Sequence, residues 1–535
     1  MQFQAANRRG KGDAMSGWRR ILAAAAVLAA ALGGAGHDAT AAGKTLVVGL
    51  VAEPTSMDPG QLTDINSMRV LSSVYDTLVR FKEGSFTQEP GLATSWKMSD
   101  DGLTYTFTLR KGVKFHDGTP FDAEAVKFTY DRLLDPKHPF AETGPFPFAS
   151  FYYGAIKEVT VVDPSTVRFT LKQPFSPLLN NLTLNTGRIV SPAAVKKYGK
   201  EFASHPVGTG PFKFVSWDKN VRIVLAANPA YWGGAPKLEG IVFRPLVEEQ
   251  TRVTELMSGG VEFIVDVPPD NVAQVKKDAR LVYYEQPGPH IWWVTLNTGK
   301  KPFNDVRVRR AMNHAVNRGA IANDLLKHTA TPAIGPIPPS ITWAFTDQVT
   351  KYPYDPERAK KLLAEAGYPN GFPAVFWIPE SGSGMQSPKT MAQSIQADLA
   401  AVGVNASIQT FEWGAYLNKY GKGFGQEADM GAMSFMLDPG DPAPMLSLVI
   451  DGKGGFRGAP YANAQVDSLL AEATRTTDLK KRGDLYRQVQ KLVVDDAPWI
   501  FVDNALQNAA GLKKVTGFKL HPSFYLFFDK ISVAP

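Results

Sequence analysis

Two hydrophobic periodicities alternate along the chain. Thr45-Leu-Val-Val-Gly-Leu-Val51 is a nearly unbroken apolar run closed by Glu53-Pro54 and Asp58-Pro59, which predicts a buried strand followed by a turn. From about Gln61 to His205 period-two alternation dominates. Thr104-Tyr-Thr-Phe-Thr-Leu109 alternates polar and apolar, and Val159 to Val162 and Thr166 to Leu171 flank the turn Asp163-Pro164-Ser165. This stretch reads as a hairpin-rich, mostly β insertion.

From Val221 onward strands alternate with helices. Val221 to Ala226 and Gly240 to Phe243 read as strands, Val253, Leu256 and Met257 share one helical face, and Val261 to Val265 returns to strand. Asn304 or Asp305 caps a helix carrying Val308, Ala311, Met312, Ala315 and Val316, and Asp355-Pro356 opens another that stops at Gly367. Ile395, Leu399 and Val402 form an apolar stripe, Gly403 breaks it, and Val404, Ala406 and Ile408 alternate as a strand. Such helix-glycine-strand units build α/β lobes, and Trp413, Asp438 and Asp441 fall in or near loops after strand ends, where open α/β sheets place ligand contacts.

Length then sets the scale, because 535 residues exceed what one core normally uses, so at least two lobes are expected. At the N-terminus, Arg19 and Arg20 precede the apolar run Ile21 to Leu32, followed by Gly33-Gly34 and the small-residue site Ala39-Thr40-Ala41. This is the layout of a secretory leader cleaved after Ala41, too short for a permanent membrane span, with Met15 as an alternative start. No later stretch reaches eighteen uninterrupted apolar residues, so the mature protein is expected to be soluble. The formal charge of +7 comes partly from the leader, and no basic run follows it, which argues against a nucleic-acid partner. Zero cysteines exclude disulfides, thiolate metal sites, cysteine nucleophiles and a lipid-bearing Cys after the leader, which favours a Gram-negative periplasm over a membrane tether.

Enzyme signatures are missing: there is no Gly-x-Ser-x-Gly elbow, no His-Glu-x-x-His pair and no phosphate-binding Gly-x4-Gly-Lys-Ser/Thr loop. The eight histidines, His290 among them, never pair at i, i+4. The segment Ser434-Phe-Met-Leu-Asp-Pro-Gly-Asp-Pro-Ala-Pro444 instead places two carboxylates among apolar and turn residues. In a closing cleft they would seek a ligand ammonium, whereas as ordinary Asp-Pro turns they would cap local amides. Trp292, Trp293, Phe411, Trp413, Tyr416 and Phe435 likewise either wall a ligand slot or fill a core. The loop Glu380-Ser-Gly-Ser-Gly-Met-Gln386, which includes Gly382 and Met385, offers backbone donors or is a plain connection.

Taken in order, several of these stretches resemble the family 5 extracellular solute-binding proteins, the dipeptide and oligopeptide binders of ABC importers. The likeness runs from Thr45 through Pro59 and Pro90 to Phe121 to Pro206-Val-Gly-Thr-Gly-Pro-Phe212 and Asn228-Pro-Ala-Tyr-Trp-Gly-Gly234. It continues with Asp305-Val-Arg-Val-Arg-Arg-Ala-Met312 and Ile395-Gln-Ala-Asp-Leu399. The resemblance implies an α/β, two-lobed periplasmic-binding-protein fold with hinged lobes (type II) and an extra β-rich domain inserted near the N-terminus. Lobe I would combine residues 42–75, 206–295 and 506–535, the extra domain 76–205, and lobe II 296–505, with the leader at 1–41. Ligand would sit between closing lobes.

In the peptide binders a carboxylate in a Gly-Trp-x-x-Asp-type segment holds the ligand's ammonium, and that position here is Asp438, with Phe435 where the family has tryptophan. In the dipeptide binders an arginine upstream of the Ile395 helix pairs the ligand carboxylate, and its ungapped counterpart here is Gly382. The site expected is therefore Asp438, Phe435, Met436, Trp413, Gly382, Met385 and Glu53, with no catalytic residue, metal ligand or cofactor. The partners expected are a peptide-like or other amine-bearing solute and an inner-membrane ABC permease with its cytoplasmic ATPase, the binder itself being a monomer. The same fold could instead hold a metal chelate, an oligosaccharide or an opine, and a periplasmic hydrolase is the competitor from another class.

Overall fold

The computed structural model describes residues 45–381, 385–437 and 440–534. The leader and its cleavage site lie outside these residues, as do Gly382 and Asp438. A large mixed sheet runs through two lobes, and a separate four-stranded sheet forms the extra domain. In lobe I the strand Thr45–Leu50 lies parallel to both Gly240–Pro245 and Phe263–Val265, with Arg222–Ala227 and Phe212–Asp218 continuing antiparallel. In lobe II Val404–Phe411, Phe372–Pro379, Met430–Met436 and His290–Leu296 lie side by side.

One long strand, Trp499–Leu512, joins the two halves. Its first part pairs with His290–Leu296 and its second with Leu281–Pro287, so two antiparallel segments cross together from lobe to lobe. The crossing breaks at Pro287-Gly288-Pro289, where two prolines withhold backbone donors from the ladder. Gly288 packs closely here, because a Cβ on it would meet Gln507 Cγ at 3.0 Å. Each lobe buries apolar clusters on both faces of its sheet: Leu46, Val48 and Phe243 oppose Val253 and Ile264 in lobe I, and Val294, Phe376 and Ile395 oppose Trp293, Tyr416 and Phe501 in lobe II.

Helix caps fall where the pattern placed them. Asp305 accepts from Arg307 N ahead of Val306–Ala315, Asp355 accepts from Arg358 N ahead of Pro356–Glu365, and Gly403 at φ +88° turns the chain from helix Pro388–Ala400 into Val404–Phe411. The extra domain contains the expected alternating strands, in the order Ala93–Met98, Thr104–Leu109, Thr166–Leu171, Ile156–Asp163. It is more helical than the mostly β expectation. Helix Ala123–Leu134, capped by Asp122, lays Val126, Tyr130 and Leu133 on that sheet, and Ala149–Tyr153 and Pro192–Tyr198 are helical too. Arg132 on this helix makes a two-pronged pair with Asp58 of lobe I, at 2.6 and 3.0 Å, both side chains 1 % exposed. Among the described residues no helix is long and apolar enough to cross a membrane.

Candidate ligand-binding site

The strand Met430–Met436 is buried along most of its length because it lies between Phe372–Pro379 and His290–Leu296. Its carboxyl end opens on a cavity of about 450 Å³, at the place where open α/β sheets receive ligands. Met433, Ser434, Phe435 and Met436 supply one wall, with Trp413, Leu417, Leu448 and Phe456 beside them. The opposite wall comes from Ile65 and Met68 of helix Ile65–Val74, Phe148, Phe151 and Tyr152 of the extra domain, the turn Leu184-Asn185-Thr186, and Tyr525. His290, the first residue of the crossing strand, sits directly across the ladder from Met436 and also lines the cavity. The cavity is thus built from both lobes, the extra domain and the crossing segment.

Its described walls contain no Asp, Glu, Lys or Arg. Aromatic and thioether side chains dominate, which suits an apolar ligand body. The polar groups present are neutral, and several have no partner. Asn185 Nδ2, both ring nitrogens of His290, and Trp413 Nε1 are sealed from solvent without a hydrogen bond. Leaving such a group unmade costs about 1–3 kcal/mol, so four of them around one cavity need an explanation. Burial keeps the His290 imidazole neutral, lowering its pKa from 6.5 to about 4. Trp413 begins helix Trp413–Lys422, whose N-cap Glu412 accepts from Gly414 N and Ala415 N at 2.9 and 3.0 Å and so fixes the helix start beside the cavity.

The candidates from sequence separate in space. Phe435, Met436 and Trp413 line the cavity. Met385 is buried in the lobe II core with Met391 and Ala392. Glu53 accepts from Trp217 Nε1 at 2.5 Å, and neither it nor Met385 is among the cavity's walls. Of the other aromatics, Trp293 stacks on Trp499 at 4.3 Å, Trp292 and Tyr416 are core, and Phe411 packs on Trp377. The turn reading holds for Asp441, which caps Ala443 N at 3.0 Å and is locked by Arg482 at 2.7 and 3.0 Å. Sequence reasoning did not single out Asn185 or His290, because nothing local marks a side chain whose partners are missing only in three dimensions.

A model of the bacterial extracellular solute-binding proteins, family 5 (middle region), matches residues 87–456, more than half of the chain. The chain belongs to this family. The family 5 protein is 37 % identical to heme-binding protein A of Haemophilus influenzae, over 91 % of this chain and 92 % of that protein. It is 35 % identical to the glutathione-binding protein GsiB of Pectobacterium atrosepticum, over 96 % of this chain and 98 % of that one. Among solved structures it is similar to the periplasmic binding protein DppA of Helicobacter pylori in complex with the peptide STSA, with TM-score 0.84 and 34 % identity, covering 92 % and 98 % of the two chains. This family 5 protein is a periplasmic binding component of an ABC importer. It captures a small solute between its lobes for delivery to a membrane permease, and its task is capture rather than turnover.

Proposed function

We propose that the solute is peptide-like, with an apolar body held in the cavity and an ammonium group paired with Asp438. The observation that carries this reading is the cavity itself. It is peptide-sized and apolar, free of charged side chains among its described walls, and formed by Phe435 and Met436 just before Asp438 in the chain. An amine entering so apolar a space needs a carboxylate, and the segment supplies one two residues beyond Met436. The peptide-bound DppA and the glutathione-binding relative support the same class. The reading includes a leader removed after Ala41, a monomer in the periplasm, lobes I and II at 42–75, 206–295, 506–535 and 296–505 around an extra domain at 76–205, and hinge closure at the crossing strands.

Calorimetry with short peptides tests it. Asp438→Asn is expected to weaken binding of a free-amine peptide by about 1.5–3 kcal/mol, the worth of a hydrogen bond to a charged group. An N-acetylated peptide is expected to be indifferent to the substitution. A less than twofold loss for the free amine drops the anchor. A second reading, a metal chelate, is favoured by one observation: His290 lines the cavity and both its buried ring nitrogens lack a protein partner.

A further inference from the structure

We propose that the cavity is a side-chain pocket selective for a flat, apolar group, in which rings of the extra domain and of lobe II enclose an aromatic side chain of the solute and the extra domain sets that preference. The inference rests on the peptide-like reading above and names which peptides the protein takes. Three observations carry it.

First, the extra domain's share of the wall is a built aromatic face. Phe148, Phe151 and Tyr152 stand at i, i+3 and i+4 at the start of helix Ala149–Tyr153, a spacing that puts all three on one side, and all three line the cavity. Tyr152 is the base. It is buried, and its ring centre lies 4.9 Å from that of Phe151 and 6.1 Å from that of Phe148, so both rings are held in place while each stays half-buried at the cavity. Second, lobe II repeats the arrangement on its own part of the wall. Half-buried Phe456 is backed by the buried Tyr420 at 5.1 Å, and half-buried Trp413 by the buried Tyr416 at 6.4 Å with the planes 21° apart, while Phe435 adds a further half-buried ring. Rings held from behind and open at the cavity are ready to receive a flat partner. Third, the extra domain also carries a groove of similar size built for a different chemistry. That groove, about 490 Å³ between helices Ala123–Leu134 and Pro192–Tyr198, is lined by Asp122, Glu124, Lys127, Asp131 and Lys196, and Lys196 Nζ lies 5.8 Å from the centre of its one phenylalanine ring, Phe128. The described walls of the solute cavity hold no Lys or Arg. An acidic side chain entering it would lose its hydration without a cation there, whereas an aromatic one gains burial and ring contacts.

The test is calorimetry with Ala-Ala-Ala, its three single-phenylalanine and three single-aspartate versions, and phenethylamine, on the wild-type protein and Phe151→Ala, alongside the Tm of each ligand-free protein. The best phenylalanine peptide is expected to bind the wild type at least about tenfold more tightly than Ala-Ala-Ala, the worth of burying most of a phenyl side chain. The aspartate peptide substituted at the same position should bind more weakly than Ala-Ala-Ala. Phe151→Ala is expected to cost the phenylalanine peptide about fivefold or more and Ala-Ala-Ala less than about twofold. Equal losses for the two peptides overturn the extra domain's role as selector. If Phe151→Ala does not fold, Phe151→Leu, which keeps apolar volume and removes the ring, should show the same split. Equal binding of the phenylalanine, aspartate and alanine peptides by the wild type overturns the pocket and leaves the peptide reading standing. Binding of phenethylamine without any peptide supports the aromatic pocket and overturns the peptide reading, and failure of all these ligands overturns both.

Discussion

Asn180 and Asn185 lie five residues apart in the segment that leaves the extra domain's sheet, but their amides are used in different ways, and only Asn180 bonds across to lobe II. Asn180 is paired on both ends of its amide: it accepts from Gln88 Nε2 and donates to Asp441 at 3.0 Å, and Asp441 is in turn gripped by Arg482. Nearby, Ser176 N donates to the Thr474 carbonyl at 2.9 Å. Asn185 has its carbonyl fixed and its NH2 unused. One position is a joint. The other lies beside a cavity and leaves one buried donor unpaired. A buried polar group without a partner is destabilising.

The joint is the place to break this contrast with the largest effect. Arg482→Met leaves the Asp441 carboxylate, 0 % exposed, without its cation, and should cost about 3–5 kcal/mol in urea unfolding. A cost below about 1 kcal/mol would show that the joint is not structural. Acid is the next lever. Burial lowers the pKa of His116, His290 and His521 from 6.5 to about 4 each. In the unfolded chain these rings take protons below about pH 6.5, whereas in the folded protein they resist until about pH 4. Their contribution is therefore full above pH 6.5 and lost as pH falls through this window, roughly 3 kcal/mol per histidine at pH 4. The three also differ in the way the contrast requires, since His116 bonds Gly210 O and His521 bonds Ser523 and Ser85, while His290 bonds nothing through its ring. The Tm measured from pH 7 to 4 should fall less steeply in His290→Phe than in wild type, and an unchanged slope would contradict the buried neutral ring. The smallest effect is expected at Trp413. Trp413→Phe keeps an aromatic wall, so peptide binding should weaken by less than about 1 kcal/mol while stability stays within about 0.5 kcal/mol. A larger loss of binding would give the indole N–H a part in holding the solute.

The sequence was most legible where local chemistry sets local structure. Alternation placed Thr104–Leu109 and Thr166–Leu171, and caps placed Val306–Ala315 and Pro356–Glu365, because side-chain period and backbone capping are properties of neighbouring residues. Helix Ala123–Leu134 was missed inside a region read as β, although Asp122 followed by Ala123, Val126, Tyr130 and Leu133 carries the helical signal. At the site, Trp413 was legible as a residue after a strand end and Phe435 through the family resemblance, and both line the cavity with Met436. Glu53 and Met385 were named from loops whose side chains turn to Trp217 and to the lobe II core. His290 and Asn185 were illegible for a physical reason. A histidine at the start of an apolar strand and an asparagine in a turn are ordinary until the fold removes their partners and opens a cavity beside them.

The cavity at the end of Met430–Met436 is proposed to hold a peptide-like solute whose amine pairs with Asp438. Mass spectrometry of the small molecule that leaves the native periplasm bound to this protein tests it most directly. An amine-bearing solute with an apolar portion, recovered with the wild-type protein and lost from Asp438→Asn, is expected. A metal chelate, or any solute without an amine, retained equally by both proteins would contradict it.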